Sequence, residues 1–300
     1  MTIRTTMDAE TTITKHAKLL VVVLFVSFVV PFVSFVVALQ SRPQRIVSLV
    51  PALTEMLYAM GAGPQVVAVS SYDEYPPEVT KLPRVGALLD PDTERIISLE
   101  PDLVITYGSQ VDLRAQMKRA AIPTFDYRHA DLRDILLTMK ALGARTGHSA
   151  EADRAVAAIE ARLAAVRARV AGTRRPKTLL VFSREPRALR NIYVSGGRGF
   201  LHDMLEIAGG DDVFGDIDRE SMQASTEVLL ARAPEVILEL RPDDIPEGTP
   251  TQAELASWSR LASVPAVRNR RVIFISGRAV TVPGPRLADT VERMALALHP

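Results

Sequence analysis

The strongest constraint on the fold comes from residues 45–77, where the hydrophobic pattern changes three times within a short stretch. Two short apolar, β-branched runs, 45–50 and 66–69, have the length of buried strands. Between them lies a helix pattern that Thr54 and Glu55 could cap. The stretch ends in a polar, aromatic loop. This pattern predicts a βαβ unit, and open α/β sheets bind ligands in the loops at the carboxyl ends of their strands.

Apolar strand patterns alternate with helix patterns along the rest of the chain, which indicates α/β architecture. Residues 93–105 and 226–238 match in register, with Thr-Glu at the helix start, a proline break, an acidic residue and a β-branched strand. Glu94 and Glu227 hold equivalent positions in the two copies. A duplicated helix–strand unit predicts two lobes of similar build, and the cleft between such lobes is a common ligand site.

Residues 149–170 form the longest and most regular helix pattern. Ser149 could cap it, alanine favours it, and acids near its start with arginines near its end suit the helix dipole. Its apolar stripe consists of Val156, Ile159, Leu163, Val166 and Val170. We interpret it as a strut between lobes that move only slightly. The alternative is a surface helix of one lobe.

The predicted fold class is therefore α/β, with two lobes that each contain a central, mainly parallel sheet flanked by helices. One long helix joins them. The predicted boundaries are an N-terminal lobe over 41–148, a connecting helix over 149–172 and a C-terminal lobe over 173–300.

The first 40 residues predict export. Residues 19–39 are an uncharged apolar run that follows Arg4, Lys15 and Lys18, a pattern typical of a secretory signal. The run is also nearly long enough to span a bilayer, so an uncleaved inner-membrane anchor is the alternative. In both cases the basic flank places the rest of the chain outside the cytoplasm, and we expect a periplasmic location.

Composition excludes several classes of function. The net charge of +1 gives no reason to expect nucleic-acid binding. The chain has no cysteine, so disulfides, thiolate metal sites and a lipidated cysteine are excluded. The five histidines show no zinc pattern, and no G-x-S-x-G motif occurs. We therefore expect no resident metal or cofactor and no enzyme, and keep an extracytoplasmic hydrolase as a remote alternative.

The candidate ligand groups are the polar and aromatic residues that follow the predicted strands. The first lobe offers Pro51, Ala52, Tyr72, Tyr107, Tyr127, Arg128 and His129, and the second offers Arg184, Arg241 and Arg278. Tyrosines supply flat apolar contact with a polar tip, and arginines suit carboxylates, phosphates and amide carbonyls. Such walls suit a broad, flat molecule with polar edges. We expect Asp73 and Glu74 to be solvated loop acids.

Three motifs in order resemble one known family: R-I-V-S-L-x-P-x-x-T-E from Arg45, the G-A-G helix end at Gly61, and S-S-Y-x-x-Y-P-P from Ser70. The chain resembles, over roughly residues 44–298, the substrate-binding proteins of ABC importers for cobalamin, haem and ferric siderophores, and especially the periplasmic cobalamin-binding proteins. The resemblance implies the helical-backbone metal-receptor type of fold. It also implies a monomer that delivers a small molecule to the transmembrane subunits of a permease.

The resemblance also implies roles for particular residues. Tyr72 stands where the cobalamin binders carry an aromatic residue that packs on the ligand; the alternative is a tyrosine that packs its own loop. Glu94 and Glu227 stand where glutamates dock each lobe onto permease arginines; the alternative is a helix-start acid. Haem binders of the group often carry a tyrosine where this chain has Ala87, and its absence counts against haem. We expect cobalamin or a related corrinoid, and a ferric siderophore or haem is the alternative. His129 or Tyr107 remain possible iron ligands.

Overall fold

The computed structural model describes residues 42–128, 131–242 and 252–300, and Pro43–Pro300 form one compact unit. The first of its two sheets contains the strands β1 (Ile46–Ser48), β2 (Val66–Val69), β3 (Leu103–Tyr107) and β4 (Thr124–Tyr127). The strands are parallel and lie in the order β2-β1-β3-β4. Their carboxyl ends therefore meet at one edge, where the predicted ligand loops begin.

The second sheet is mixed. Its strands are β5 (Lys177–Ser183), β6 (Ile192–Ser195), β7 (Asp211–Asp212), β8 (Ser221–Ala224), β9 (Val236–Arg241) and β10 (Val272–Ser276). The order is β10-β9-β5-β6-β8, with β7 paired to the amino end of β5. Strands β10, β9 and β5 are parallel, whereas β6 and β8 are antiparallel to their neighbours. The prediction of two lobes with mainly parallel sheets is confirmed.

Helices flank both sheets. Those before the second sheet are α1 (Pro51–Ala59), α2 (Thr93–Ser98), α3 (Val111–Arg119), α4 (Leu132–Thr146) and α5 (Ser149–Val170). Those that follow are α6 (Phe200–Ile207), α7 (Thr226–Arg232), α8 (Gln252–Trp258), α9 (Pro265–Arg268) and α10 (Leu287–Leu298). Short 3-10 turns lie at Gly63–Gln65, Pro77–Lys81 and Ser259–Leu261.

None of the helices in the described ranges is long and apolar enough to cross a membrane. The predicted signal or anchor, residues 1–40, lies outside those ranges. The exact boundaries predicted for the two lobes and the connecting segment stay predictions.

The strut helix α5 shares one apolar core with both lobes. Val156, Ile159, Leu163 and Val166 of its stripe are buried, and α5 packs against α4 on one side and α10 on the other. A single apolar cluster extends from Ile46 in the first sheet through Leu163 to Leu298 near the carboxyl terminus. Because close-packed interiors tolerate little rearrangement, this cluster restricts movement of one lobe against the other.

The sequence repeat is also a structural repeat. Helices α2 and α7 both start at the Thr-Glu pair, and each is capped by the preceding side chain, Asp92 in one copy and Ser225 in the other. Both end before a residue with a φ angle of 48°, Glu100 and Ala233. A left-handed residue there ends each helix and directs the chain into the following strand.

The repeated acid after the proline has a defined role in each lobe. Asp102 accepts a hydrogen bond from the backbone N–H of Arg45 at 2.9 Å, and Glu235 accepts one from the backbone N–H of Lys177 at 3.1 Å. Each carboxylate thus fixes the chain at the start of the first strand of its own sheet.

Two predicted helix caps are wrong. Helix α1 begins at Pro51, because proline suits the first helical position, and Val50 is its N-cap. Thr54 therefore lies inside the helix and donates a hydrogen bond to the Ser48 hydroxyl at 2.8 Å. Helix α5 begins at Ser149, but its N-cap is His148 and no side chain caps it.

A buried ion pair joins α1 of the first lobe to the start of α10 in the second. Arg286 donates hydrogen bonds to both carboxylate oxygens of Glu55, at 2.9 and 2.5 Å, and the Glu55 side chain is only 5% exposed. The guanidinium also lies 3.8 Å from the centroid of the Tyr75 ring. Burial opposes the charge on Arg286, but its bonds and proximity to Glu55 raise its pKa on balance.

The substitution Glu55→Gln should lower the free energy of unfolding by about 3 kcal/mol, because it leaves Arg286 charged and poorly paired. Chemical denaturation measures this change. Glu151→Gln is the matched control, since Glu151 pairs with Arg154 on the exposed side of α5. Equal, small effects of the two substitutions would show that the Glu55 pair does not stabilise the contact between the lobes.

Candidate functional site

The loop after β2 is fixed from within. Asp73 accepts hydrogen bonds from the backbone N–H of Ser70 at 2.9 Å and from the Ser70 hydroxyl at 2.5 Å. Arg84 donates to the carbonyl oxygens of Ser70 and Asp73. Asp73 is 1% exposed, so the expectation of a solvated acid is wrong, and its burial raises the pKa of the carboxyl group. The loop therefore presents its tip from a rigid base.

Tyr72 is at the tip of this loop, and its side chain is 75% exposed. At the neighbouring carboxyl end of β1, Pro51 is half-buried and Ala52 is buried, so Tyr72 is the more accessible of these predicted ligand residues. An aromatic ring that remains in water on a rigid loop is available to pack on a flat apolar partner.

Tyr107 and Tyr127 are the last residues of β3 and β4, and their ring centroids lie 6.3 Å apart at an angle of 54°. Tyr107 is half-buried and Tyr127 is buried, and burial raises the pKa of both hydroxyl groups. Arg128 is exposed and lies over Gly108, where an added Cβ would come within 2.5 Å of the Arg128 Nε atom. His129 lies outside the described residues.

An ion pair connects the two lobes at the edge of the predicted cleft. Arg278, two residues after β10, pairs with Glu74, which follows Tyr72 in the loop after β2. Each side chain is about half exposed. The carboxyl ends of β2 and β10 therefore face each other. The structure brings Tyr72 and Arg278, predicted from distant parts of the sequence, to the same end of the two lobes.

Arg184 occupies a different environment from the other predicted arginines, because its side chain is 2% exposed. It donates to Glu239 at 3.0 Å, pairs with Glu254 and lies 5.6 Å from the centroid of the Trp258 ring. The Trp258 indole N–H also donates to Glu239, at 2.8 Å. The guanidinium thus satisfies two buried carboxylates of its own lobe.

Arg241 lies between this buried network and the surface. Its guanidinium is 3.5 Å from Glu254 and 5.9 Å from the centroid of the Phe274 ring. A cavity of about 240 Å³ opens here, with Arg184, Arg241 and Phe182 in its lining. The second wall of the predicted cleft therefore offers a cation held in place by a buried glutamate.

Glu254→Gln should destabilise the fold by about 3 kcal/mol at neutral pH, because Arg184 and Arg241 lose a shared carboxylate. Burial would raise the pKa of Glu254, but the hydrogen bond and charge of Arg184 hold it below the usual 4.5. Such a group stabilises the fold above its unfolded-state pKa and loses that contribution as pH falls through its folded-state pKa.

The difference in unfolding free energy between the native protein and the Glu254→Gln variant should therefore shrink as the pH falls below 4.5. Denaturation curves at several pH values measure it. A difference that stays constant into the acid range would mean that the charge of Glu254 does not stabilise the network.

The two predicted docking acids are exposed, and each lies in the first turn of its short helix, Glu94 in α2 and Glu227 in α7. The Ser225 hydroxyl hydrogen-bonds to Glu227 and lowers the pKa of its carboxyl group. The dipole of the helix favours a negative charge at both positions. Both acids are therefore accessible from solvent.

A groove of about 850 Å³ lies between α4, α5 and α6. Its lining contains none of the predicted ligand residues. Among the residues that the structure describes, no group of three or more His, Asp or Glu side chains could hold a metal ion.

Sequence reasoning missed several residues that shape the site. Glu55 and Arg286 join the lobes, and Glu239 and Glu254 hold the arginines of the second wall. The partners in these pairs are separated by 13 to 231 residues in the sequence, so no local pattern could have identified them. The buried Trp258, the only tryptophan, could have drawn attention to α8.

Family comparison agrees with this geometry. The model of a family described as periplasmic binding protein matches residues 46–279, which include both sheets and the strut. The chain belongs to the periplasmic binding protein family. It is thus a substrate-binding protein of the type found in ABC importers, and the family consists of binding proteins and not of enzymes.

Relatives of this periplasmic binding protein match over most of their length. An uncharacterized ABC transporter substrate-binding lipoprotein of Bacillus subtilis is 29% identical over 276 residues, covering 88% of this chain and 82% of the relative. The crystal structure of a periplasmic vitamin B12 binding protein of Vibrio cholerae is 26% identical with a TM-score of 0.72, covering 86% of this chain and 97% of that one.

A periplasmic heme-binding protein of Roseiflexus sp. is 29% identical with a TM-score of 0.71, covering 85% of this chain and 98% of that one. Binding proteins for different ligands are therefore about equally similar to this periplasmic binding protein. The choice of ligand must come from the residues of its own site.

Proposed function

We propose that the protein captures cobalamin or a related corrinoid between its lobes and delivers it to the permease of an ABC importer. The observation that carries the proposal is Tyr72, a 75% exposed aromatic residue on a fixed loop, on the same side as Arg278 of the other lobe. A flat apolar face on one side and cations on the other match a broad macrocycle with polar amide edges.

The tyrosines favour a corrinoid over haem. A tyrosine that ligates haem iron must bring its oxygen to the metal, but Tyr127 is buried, and burial raises the pKa of Tyr107 and Tyr127. The segment Val85-Gly86 is followed by Ala87 and not by a tyrosine. Haem or a ferric siderophore is the second candidate, favoured by the similarity to a heme-binding protein.

Titration calorimetry of the purified protein with cyanocobalamin, hemin and a ferric hydroxamate tests the choice of ligand. We expect a saturable isotherm with cyanocobalamin and a weaker or absent one with the two iron compounds. Binding of hemin alone, with its absorbance band shifted, would overturn the corrinoid assignment and leave the binding-protein assignment in place.

Tyr72→Ala should weaken cyanocobalamin binding at least several-fold, because the removed ring supplies apolar contact area. Tyr72→Phe keeps the ring and should retain most of the affinity. Unfolding curves should be unchanged for both variants, because the side chain is largely in water. An affinity for the Tyr72→Ala variant equal to that of the native protein would remove Tyr72 from the site.

Glu94 and Glu227 are proposed to dock the two lobes onto basic pockets of the permease. The double variant Glu94→Ala with Glu227→Ala should bind ligand normally but impair uptake in cells, since charge complementarity sets the register and on-rate of transient interfaces. The control is Asp112→Ala with Glu160→Ala, which removes two other exposed acids. Uptake equal to that of the control would contradict docking through the glutamates.

The location is proposed to be periplasmic, with export directed by residues 1–40. One relative is named a lipoprotein, but this chain has no cysteine to carry a lipid. Any attachment to the inner membrane would therefore use the apolar run 19–39 itself. A monomer remains our expectation for the oligomeric state.

A further inference from the structure

The two short helices that carry Glu94 and Glu227 also share an exposed aliphatic residue. Ile97 in α2 is 40% exposed, and Leu230 in α7 is 42% exposed. Each lies three positions after the glutamate of its own helix. Residues three apart lie on the same side of a helix, so each lobe presents a carboxylate beside an aliphatic side chain.

The main apolar attachment of each helix to its lobe comes from the residue before the exposed one. These residues, Ile96 and Leu229, are both 0% exposed and provide the apolar contact with the core. The next position in either helix is therefore the less buried of the two. An aliphatic residue stands there in both copies of the repeat, with nearly equal exposure.

The charges beside these residues are also available. In the ranges that the structure describes, no ion pair joins Glu94 or Glu227 to a cation of this chain. The hydrogen bond from Ser225 lowers the pKa of the Glu227 carboxyl group. A partner that offers a cation next to an apolar surface would pair with the glutamate of each helix and cover its exposed aliphatic side chain.

We propose that Ile97 and Leu230 are the apolar contacts of two matching docking surfaces, and that the partner is a membrane complex that offers the same basic and apolar pocket twice. Two equal patches on one chain are best matched by two copies of one partner chain. This inference rests on the proposed docking of Glu94 and Glu227 and adds the part of the interface that holds the complex together.

The two components should have separable kinetic effects. Exposed charges mainly steer association, whereas buried apolar contacts mainly slow dissociation. Burying the exposed part of two aliphatic side chains should slow dissociation by about tenfold. Removing the charges of Glu94 and Glu227 should thus change the salt dependence of the association rate. Removing the aliphatic side chains of Ile97 and Leu230 should change the dissociation rate.

The experiment measures binding of the full-length protein to its permease complex in lipid nanodiscs by biolayer interferometry over a series of salt concentrations. The aliphatic variant is Ile97→Ser with Leu230→Ser, and the acid variant is Glu94→Gln with Glu227→Gln. The control is Leu137→Ser with Leu296→Ser, which removes two leucines that are 51% and 58% exposed elsewhere. Cyanocobalamin titration and unfolding curves accompany each variant.

We expect the aliphatic variant to dissociate about tenfold faster than the control, with the salt dependence of association unchanged. An aliphatic variant that dissociates like the control, while the acid variant binds weakly, would overturn this inference alone. Native binding by both variants would overturn the proposed docking as well.

Discussion

The structure depends on an apolar core that does not stop at the boundary between the lobes. The buried stripe of the strut helix, which includes Val156 and Leu163, is continuous with apolar residues of both lobes. The Glu55–Arg286 pair adds a second, polar connection on the same junction. Because opening the lobes widely would expose this shared core to water, the resting cleft should be close to the shape that receives the cargo.

A fixed cleft places particular demands on its walls. The loop that carries Tyr72 is braced by Arg84 and by the buried Asp73, and the arginines of the opposite wall are held by Glu254. Such preorganisation lowers the entropy that side chains and loops lose on binding, and it favours a ligand that is itself rigid. The same stiffness keeps the outer surfaces of the two lobes in a constant relation, as simultaneous docking on two equal sites requires.

Much of this architecture was predictable because the deciding signals are local or periodic. The strut helix was predictable from its apolar stripe, and the two lobes were predictable from the sequence repeat. In the structure the repeat also includes two residues in the left-handed conformation, Glu100 and Ala233. The contacts that give the site its form were not predictable. Arg184 follows a strand like a ligand-facing arginine, but its two carboxylate partners come from distant elements, and only tertiary packing buries it.

Pulsed electron paramagnetic resonance tests the rigid cleft most directly, and the absence of native cysteines makes labelling specific. Spin labels at Asp112→Cys in helix α3 and Asn269→Cys at the end of helix α9 report the distance between the lobes, since both positions are exposed and the two helices belong to different lobes. We predict one narrow distance distribution whose mean stays within its own width when cyanocobalamin is added. A broad distribution without ligand, or a mean displaced beyond that width on binding, would contradict a cleft held by a shared core.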